Sequence, residues 1–260
     1  MIEKWFRRIY LILIYIFLYA PIIFLIIFSF NSGKDSISWS GFTLKWYKQL
    51  FSNNRILMAF YYTILVAIIS STIATAFGTI SAIGISRMKG FKKKILLNIN
   101  NLPVLNPDIV IAVSLMTLFI FIKIPFGLAT LIIAHISFCI PYVVLSVLPK
   151  LYQLSDDTIK AAMDLGASPK ITMEKIIIPQ IKPGITAGFL ISFTMSIDDF
   201  VISFFNTGAN ITNLSIEIFS MARRGIKPEI NALSALMFIV IFILLFLING
   251  KEILSRGDKK

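Results

Sequence analysis

SDDTIKAAMDLGASPKITMEKIIIP, residues 155 to 179, is the longest polar interval in an otherwise apolar chain. Ser155 is placed to cap a helix N-terminus, Asp156 and Asp157 put negative charge on its first turn, and IKAAMDL continues it. Gly166 stops that helix. Ser168 and Pro169 restart a second, with serine as cap and proline at the first helical position, where its missing N–H costs nothing. The pattern predicts a helix-turn-helix elbow over 155–180, between two membrane spans.

Outward from the elbow the chain is lipid-soluble. Its 260 residues are 57% hydrophobic and 15% charged, with a mean hydropathy of +0.84. A soluble domain of this size needs far more polar surface, so composition points to an all-α integral membrane fold. About six apolar runs are long enough to cross roughly 30 Å of hydrocarbon as helices. They fall at 9–30, 58–85, 102–123, 128–148, 183–205 and 232–249, giving a single transmembrane domain over 1–260. The first run follows Lys4, Arg7 and Arg8; it is too long for a signal peptide and no small-residue cleavage site follows it, so it reads as an uncleaved span. Between the first two runs, Trp39, Trp46, Tyr47 and Phe51 suit a membrane interface or an external docking surface. The second carries Ala74, Ala76, Gly78, Ser81, Ala82 and Gly84, small residues that let helices approach closely. Pro103 and Pro107 give the third an irregular start, which a bilayer tolerates only where protein covers the backbone or a wet cavity lies beside it. The fourth has a kink at Pro141 and the only histidine, His135, which reads as a hydrogen-bonded packing residue ahead of a ligand or proton relay.

The net charge of +12 raises the question of nucleic acid, but sidedness explains it better. Of 25 Lys and Arg, 17 fall on the side shared by the elbow and both termini, including the block Arg87, Lys89, Lys92, Lys93 and Lys94. That bias places elbow and termini in the cytoplasm of a multi-pass plasma-membrane protein whose charged neighbour is membrane lipid, with no nucleic-acid partner. The single cysteine, Cys139, excludes an internal disulfide and a cysteine metal cluster, and reads as packing. Asn210-Ile211-Thr212 matches a glycosylation sequon, a pattern too common to carry weight.

Carboxylates inside spans are expensive, about 2.5 to 3.5 kcal/mol each at a helix centre. Asp198 and Asp199 are adjacent, so they point about 100° apart. One is expected to face a cavity and the other a neighbouring helix. Sixteen residues beyond Lys182, they lie about 24 Å up a core of about 30 Å. Asp108 lies about 8 Å inside when measured from Pro103, in a first helical turn that favours a carboxylate. Asp108, Asp198 and Asp199 staggered along a path, with Phe200, Phe204, Phe205 and Trp46 offering cation–π faces, select a cation and penalise an anion.

The elbow resembles the cytoplasmic loop of type I ABC importer permeases, E-A-A-x-x-x-G, nine residues, I-x-L-P. Ala161, Ala162, Gly166, Ile176, Ile178 and Pro179 fall at that spacing. Lys160 stands where the family usually has Glu, and Ile178 where it usually has Leu. NPDIVIAVSL, SFTMSIDDFVISFF and IEIFSMARRGIKPEINALS are similar to stretches of the C-type permease of spermidine/putrescine importers. The resemblance implies the MetI-like permease fold and a subunit that is not itself an enzyme. It also implies a homologous second permease subunit, two copies of an ATPase subunit binding ATP and Mg, an external solute-binding protein and a polyamine substrate. It makes 155–180 the coupling helix, with Lys160, Ala161, Ala162, Asp164, Gly166, Ala167 and Pro169 at the ATPase groove. Closure of the ATPase dimer then moves the elbow and opens the path outward.

No G-x-x-x-x-G-K-[ST] occurs, so the chain has no P-loop of its own and is expected to hold no cofactor. A self-sufficient secondary transporter would usually be larger and show inverted repeats. A membrane enzyme would need more than one histidine and no cysteine pair can supply. Thiamine or iron(III) stays open as an alternative cationic substrate.

Overall fold

The computed structural model describes residues 2–33, 38–209, 211–225 and 228–257. Asn210 of the sequon and Lys259 and Lys260 of the basic tail lie outside them, as do the side chains of Lys4, Asp156, Lys251 and Arg256. In chain order come α1 (Ile2–Phe28), α2 (Lys45–Ser52), α3 (Asn54–Arg87), α4 (Gly90–Leu105), α5 (Asp108–Phe121) and α6 (Leu128–Tyr152). The elbow supplies α7 (Asp156–Asp164) and α8 (Pro169–Thr172), which runs through a π-helical turn, Met173–Ile177, into α9 (Ile178–Asp198). α10 (Val201–Asn206), α11 (Leu214–Arg223) and α12 (Pro228–Gly257) follow.

Among the described residues, four helical stretches are long and apolar enough to cross a membrane: Arg7–Phe28, Asn54–Arg87, Leu128–Tyr152 and Pro169–Asp198. α4 and α5 make a fifth only as a pair, bent by 107°. The expected sixth run, 232–249, lies within the single helix α12.

Two expected spans are broken, each for a local reason. The run expected at 102–123 begins earlier, at Gly90 in the basic block, and stops at Asn106. Asn106 is extended, at φ −87° and ψ 148°, because the ring of Pro107 bars the preceding residue from helical geometry. The run expected at 183–205 ends at Asp198, where Asp199 is extended at φ −63° and ψ 126°, and α10 is a separate helix. At its other end the helix is continuous with the elbow. The π turn there precedes Pro179 and Pro183, neither of which can donate to the carbonyl four residues back.

The chain divides into two compact units, Met1–Met58 with Glu217–Lys260, and Ala59–Ile216, where the sequence reads as one domain. In the first, α12 packs on α1 and α2. Trp46 is buried and its Nε1–H donates to the Asn31 carbonyl at 2.7 Å. It is a packing residue whose nearest cation is its own neighbour Lys45, 5.4 Å above the ring, and not the open cation–π face expected of it. α1 exposes Phe17, Tyr10 and most of its other large apolar side chains, as a lipid-facing helix does.

In the second unit α6 is the central helix and α9 its main partner. The approach depends on glycines. A Cβ on Gly184 would lie 2.9 Å from the Ser146 carbonyl oxygen, and one on Gly78 of α3 would lie 2.6 Å from Val143 Cβ. Ala74 and Ala82 share that buried face of α3, while Ala76, Ser81 and Gly84 are open, so only half of the small-residue set is interior. Gly184→Val is expected to cost about 1 to 3 kcal/mol through overpacking. The measurement is the melting temperature of the detergent-purified protein, expected to fall by roughly 2 to 10 °C; an unchanged value would show that α6 and α9 do not depend on this contact.

Candidate substrate path and coupling elbow

The polar residues Ser192, Ser196, Asp199, Ser203 and Asn206 recur every three or four positions, the spacing of one helical face. All five are buried. That stripe is the signal that sequence reasoning passed over, and its members Ser196, Asp199 and Ser203 build a network around the α9–α10 break. Asp199 accepts from the backbone N–H of Ile202 at 3.1 Å and of Ser203 at 2.8 Å, and from the Ser203 hydroxyl at 2.9 Å. It thereby satisfies the open N–H groups at the start of α10. Asn213 donates to Ser203 Oγ at 2.7 Å and to the Asp199 carbonyl at 3.2 Å.

His135 closes the network from α6. Its Nε2 lies 2.9 Å from Ser203 Oγ and 3.5 Å from Asp199 Oδ2, and its Nδ1 lies 2.7 Å from Ser196 Oγ. Ser203 gives its single proton to Asp199, so His135 Nε2 is the donor to Ser203. His135 is the packing residue expected of it. Cys139, also buried, directs its thiol to the Ser192 carbonyl at 3.5 Å. Of the expected path residues Asp199 is the buried one: its side chain is 6% exposed and its oxygens accept from the start of α10.

Asp198 takes the opposite orientation and is exposed. Its carboxylate lies within the electrostatic reach of Asp108 as well as Asp199. Asp108 is exposed on the first turn of α5. α5 is held against α10 by Asn206, whose Nδ2 donates to the Ala112 carbonyl of α5 at 3.1 Å. All sixteen residues of α4 precede the break, and Asp108 opens a helix turned by 107° from it. Among the described residues neither carboxylate has a cation within ion-pair distance. Two like charges held together unpaired attract a mobile cation. Phe204, half exposed, has its ring 5.3 Å from that of Phe200, tilted, and 5.4 Å from that of Phe205, edge to face, a few residues beyond Asp198 and Asp199 in the chain.

The elbow is built as its residues dictate. Ser155 Oγ accepts from Asp157 N–H at 3.2 Å, and Ser168 Oγ from Ile171 N–H at 3.4 Å. Between them Gly166 sits at φ +86°, in the left-handed region that glycine enters freely. This lets its N–H reach the Met163 carbonyl at 2.9 Å and that of Ala167 reach Ala162 at 3.0 Å. Ala161, Asp164, Gly166 and Pro169 are exposed, and Ala162 and Ala167 partly so. Lys160, 73% exposed, lies 4.0 Å from Asp157 one turn away, a pair too solvated to hold the geometry. Leu165 is 90% exposed. With Met163 and Ile171 it forms an apolar surface flanked by charge, the composition of a docking face.

The profile of the family described as binding-protein-dependent transport system inner membrane component matches residues 74–250. The spermidine/putrescine transport system permease protein PotC of Escherichia coli (strain K12) is 38% identical over 260 residues, covering 100% of this chain and 97% of that protein. The protein of the same name from Haemophilus influenzae is 37% identical over 234 residues, 90% and 91% of the two chains. The putrescine transport system permease protein PotI of Escherichia coli (strain K12) is 34% identical over 261 residues, 98% and 92%. In fold, the chain is similar to one from the crystal structure of a bacterial ABC transporter involved in the import of the acidic polysaccharide alginate. That match has a TM-score of 0.76 and 12% identity, and covers 96% of each chain.

Proposed function

Because this chain belongs to the family of binding-protein-dependent transport system inner membrane components, we propose that it is the permease subunit of an ATP-driven importer that carries polyamines across the bacterial inner membrane. It is a multi-pass membrane protein, and its work is transport. The observation that carries the substrate class is the unpaired, exposed pair Asp108 and Asp198, contributed by α5 and α9. Protonated amines on a flexible chain can be handed between such carboxylates, with Phe204 bordering the step. Full-length identity with permeases named for spermidine and putrescine supports the same class.

In this reading the path is completed by a homologous permease, and an external binding protein delivers the polyamine. The charge bias puts the elbow and both termini on the cytoplasmic side. Lys160, Ala161, Ala162, Asp164, Gly166, Ala167 and Pro169, with the bare Leu165, meet an ATPase subunit present in two copies, which binds ATP and Mg. Asp199 supports the path from behind by fixing the α9–α10 break that turns Asp198 outward.

The test is uptake of radiolabelled spermidine and putrescine by cells deleted for this gene, complemented with the wild-type chain alongside its own ATPase and binding protein. Restored uptake of either amine, lost on depletion of ATP, is the expected result. No uptake of either amine at normal membrane abundance would reject the polyamine assignment and leave the family membership standing.

A further inference from the structure

A cavity of about 260 Å³ lies where the end of α3, the start of α4, the end of α6 and the root of the elbow meet. Its walls include Arg87, Lys93, Tyr152, Ile159 and Ile177. This is just below the roughly 300 Å³ at which sites for drug-sized ligands begin. The charge on its α3–α4 side is lopsided. Arg87, Lys89, Lys92, Lys93 and Lys94 crowd the N-terminus of α4, and no acidic residue occurs between Asp35 and Asp108. Cations at a helix N-terminus oppose its dipole, and α4 has no side-chain cap. Among the described residues no carboxylate pairs with Arg87 or Lys93. An anion in this cavity would meet both cations together.

We infer that the cavity holds the phosphate of an anionic phospholipid headgroup. Arg87 offers the planar fork that suits phosphate oxygens. Lys93 is held at the wall, its Nζ 4.7 Å from the Tyr152 ring centroid. Ser86 Oγ gives its proton to the Ile83 carbonyl at 2.7 Å, so the charged donors at the wall are Arg87 and Lys93. The exposed apolar side chains of Phe91, Met88 and Ile95 beside the basic block favour a lipid over free phosphate, since they offer acyl chains a surface next to the headgroup. The inference rests on the cytoplasmic placement of the elbow and not on the identity of the substrate. It gives the headgroup a structural task, joining α3, α4 and α6 at the point from which the elbow projects.

The assembled transporter, purified in detergent, is tested for retained lipid by native mass spectrometry after exchange into equal phosphatidylglycerol and phosphatidylcholine. Wild type is expected to retain phosphatidylglycerol. Arg87→Gln and Lys93→Gln singly are each expected to lower its retention by about tenfold, the loss of one charged hydrogen bond. Lys89→Gln with Lys94→Gln, which leaves the cavity wall intact, is expected to change it within about twofold. Equal losses in both sets would mean diffuse attraction, and equal retention of the two lipids would mean no headgroup site; either overturns the inference. Displacement by inorganic phosphate as readily as by short-chain phosphatidylglycerol would also overturn the lipid assignment, because it would make the ligand free phosphate. The readout is lipid and not uptake, so its failure leaves the polyamine reading untouched.

Discussion

Replacing Gly166 by proline is expected to reduce polyamine uptake to background while leaving the amount of protein in the membrane unchanged. The position has φ +86°, and proline is locked near −65°, so the turn between α7 and α8 cannot form. The substitution also removes the N–H that reaches the Met163 carbonyl at 2.9 Å. It further disfavours the near-helical backbone of Leu165, at φ −78° and ψ 7°. A Cβ at this position would meet nothing within 4 Å, so the fault is conformational and confined to an exposed elbow. The α6–α9 packing that holds the unit in the membrane is untouched. Gly166→Ala separates conformation from contact: it keeps the N–H and costs about 1 to 2 kcal/mol for left-handed geometry, so reduced but measurable uptake is expected. Both variants are read by uptake together with a membrane immunoblot and the ATPase rate of the purified complex. Wild-type uptake by Gly166→Pro would mean that the elbow does not transmit the ATPase stroke.

The elbow could be read from sequence because its signals are local. A capping serine, a glycine requiring positive φ and a serine-proline restart each fix the backbone within three residues. The apolar runs could be counted for a similar reason, since the need to bury backbone in lipid leaves a compositional trace. What escaped was set by breaks and by partners distant in sequence. Pro107 ends α4 as its ring demands, but a 107° bend depends on what α5 packs against. The continuity of α8 with α9 hinges on a π turn ahead of two prolines that reads, in sequence, as a stop. Asp198 and Asp199 differ by one position, and the sequence correctly requires that they face different ways. Which one turns inward is decided by Ser203, Asn213 and His135, the last more than sixty residues upstream. The buried stripe from Ser192 to Asn206 was the one periodic clue to that choice. Gly184 lacked even that, because a glycine in an apolar run gives no sign of how near its neighbour lies until α6 is placed against it.

Asp198→Asn and Asp199→Asn are therefore expected to fail in different ways. At Asp198 the change removes charge from an exposed side chain, so abundance and melting temperature stay at wild-type values. A charged hydrogen bond contributes about 1.5 to 3 kcal/mol, and its loss lowers kcat/KM for spermidine uptake by roughly 10-fold to 100-fold. Asp108→Asn is expected to do the same. If the two carboxylates receive the cation as a unit, the double variant falls short of the product of the single losses, as coupled neighbours do. At Asp199 the new amide turns a donor toward the Ser203 N–H and hydroxyl, leaving buried donors facing each other at a cost of about 1 to 3 kcal/mol per orphaned group. The melting temperature then falls by roughly 2 to 10 °C, and uptake falls with abundance. His135→Ala, which removes the donor to Ser203 without touching any exposed carboxylate, is expected to reproduce the Asp199 pattern and not the Asp198 pattern. Uptake by Asp198→Asn within about twofold of wild type would remove it from the path. A thermally unaltered Asp199→Asn that fails only in transport would move the cation site inward, onto the network assigned here to structure.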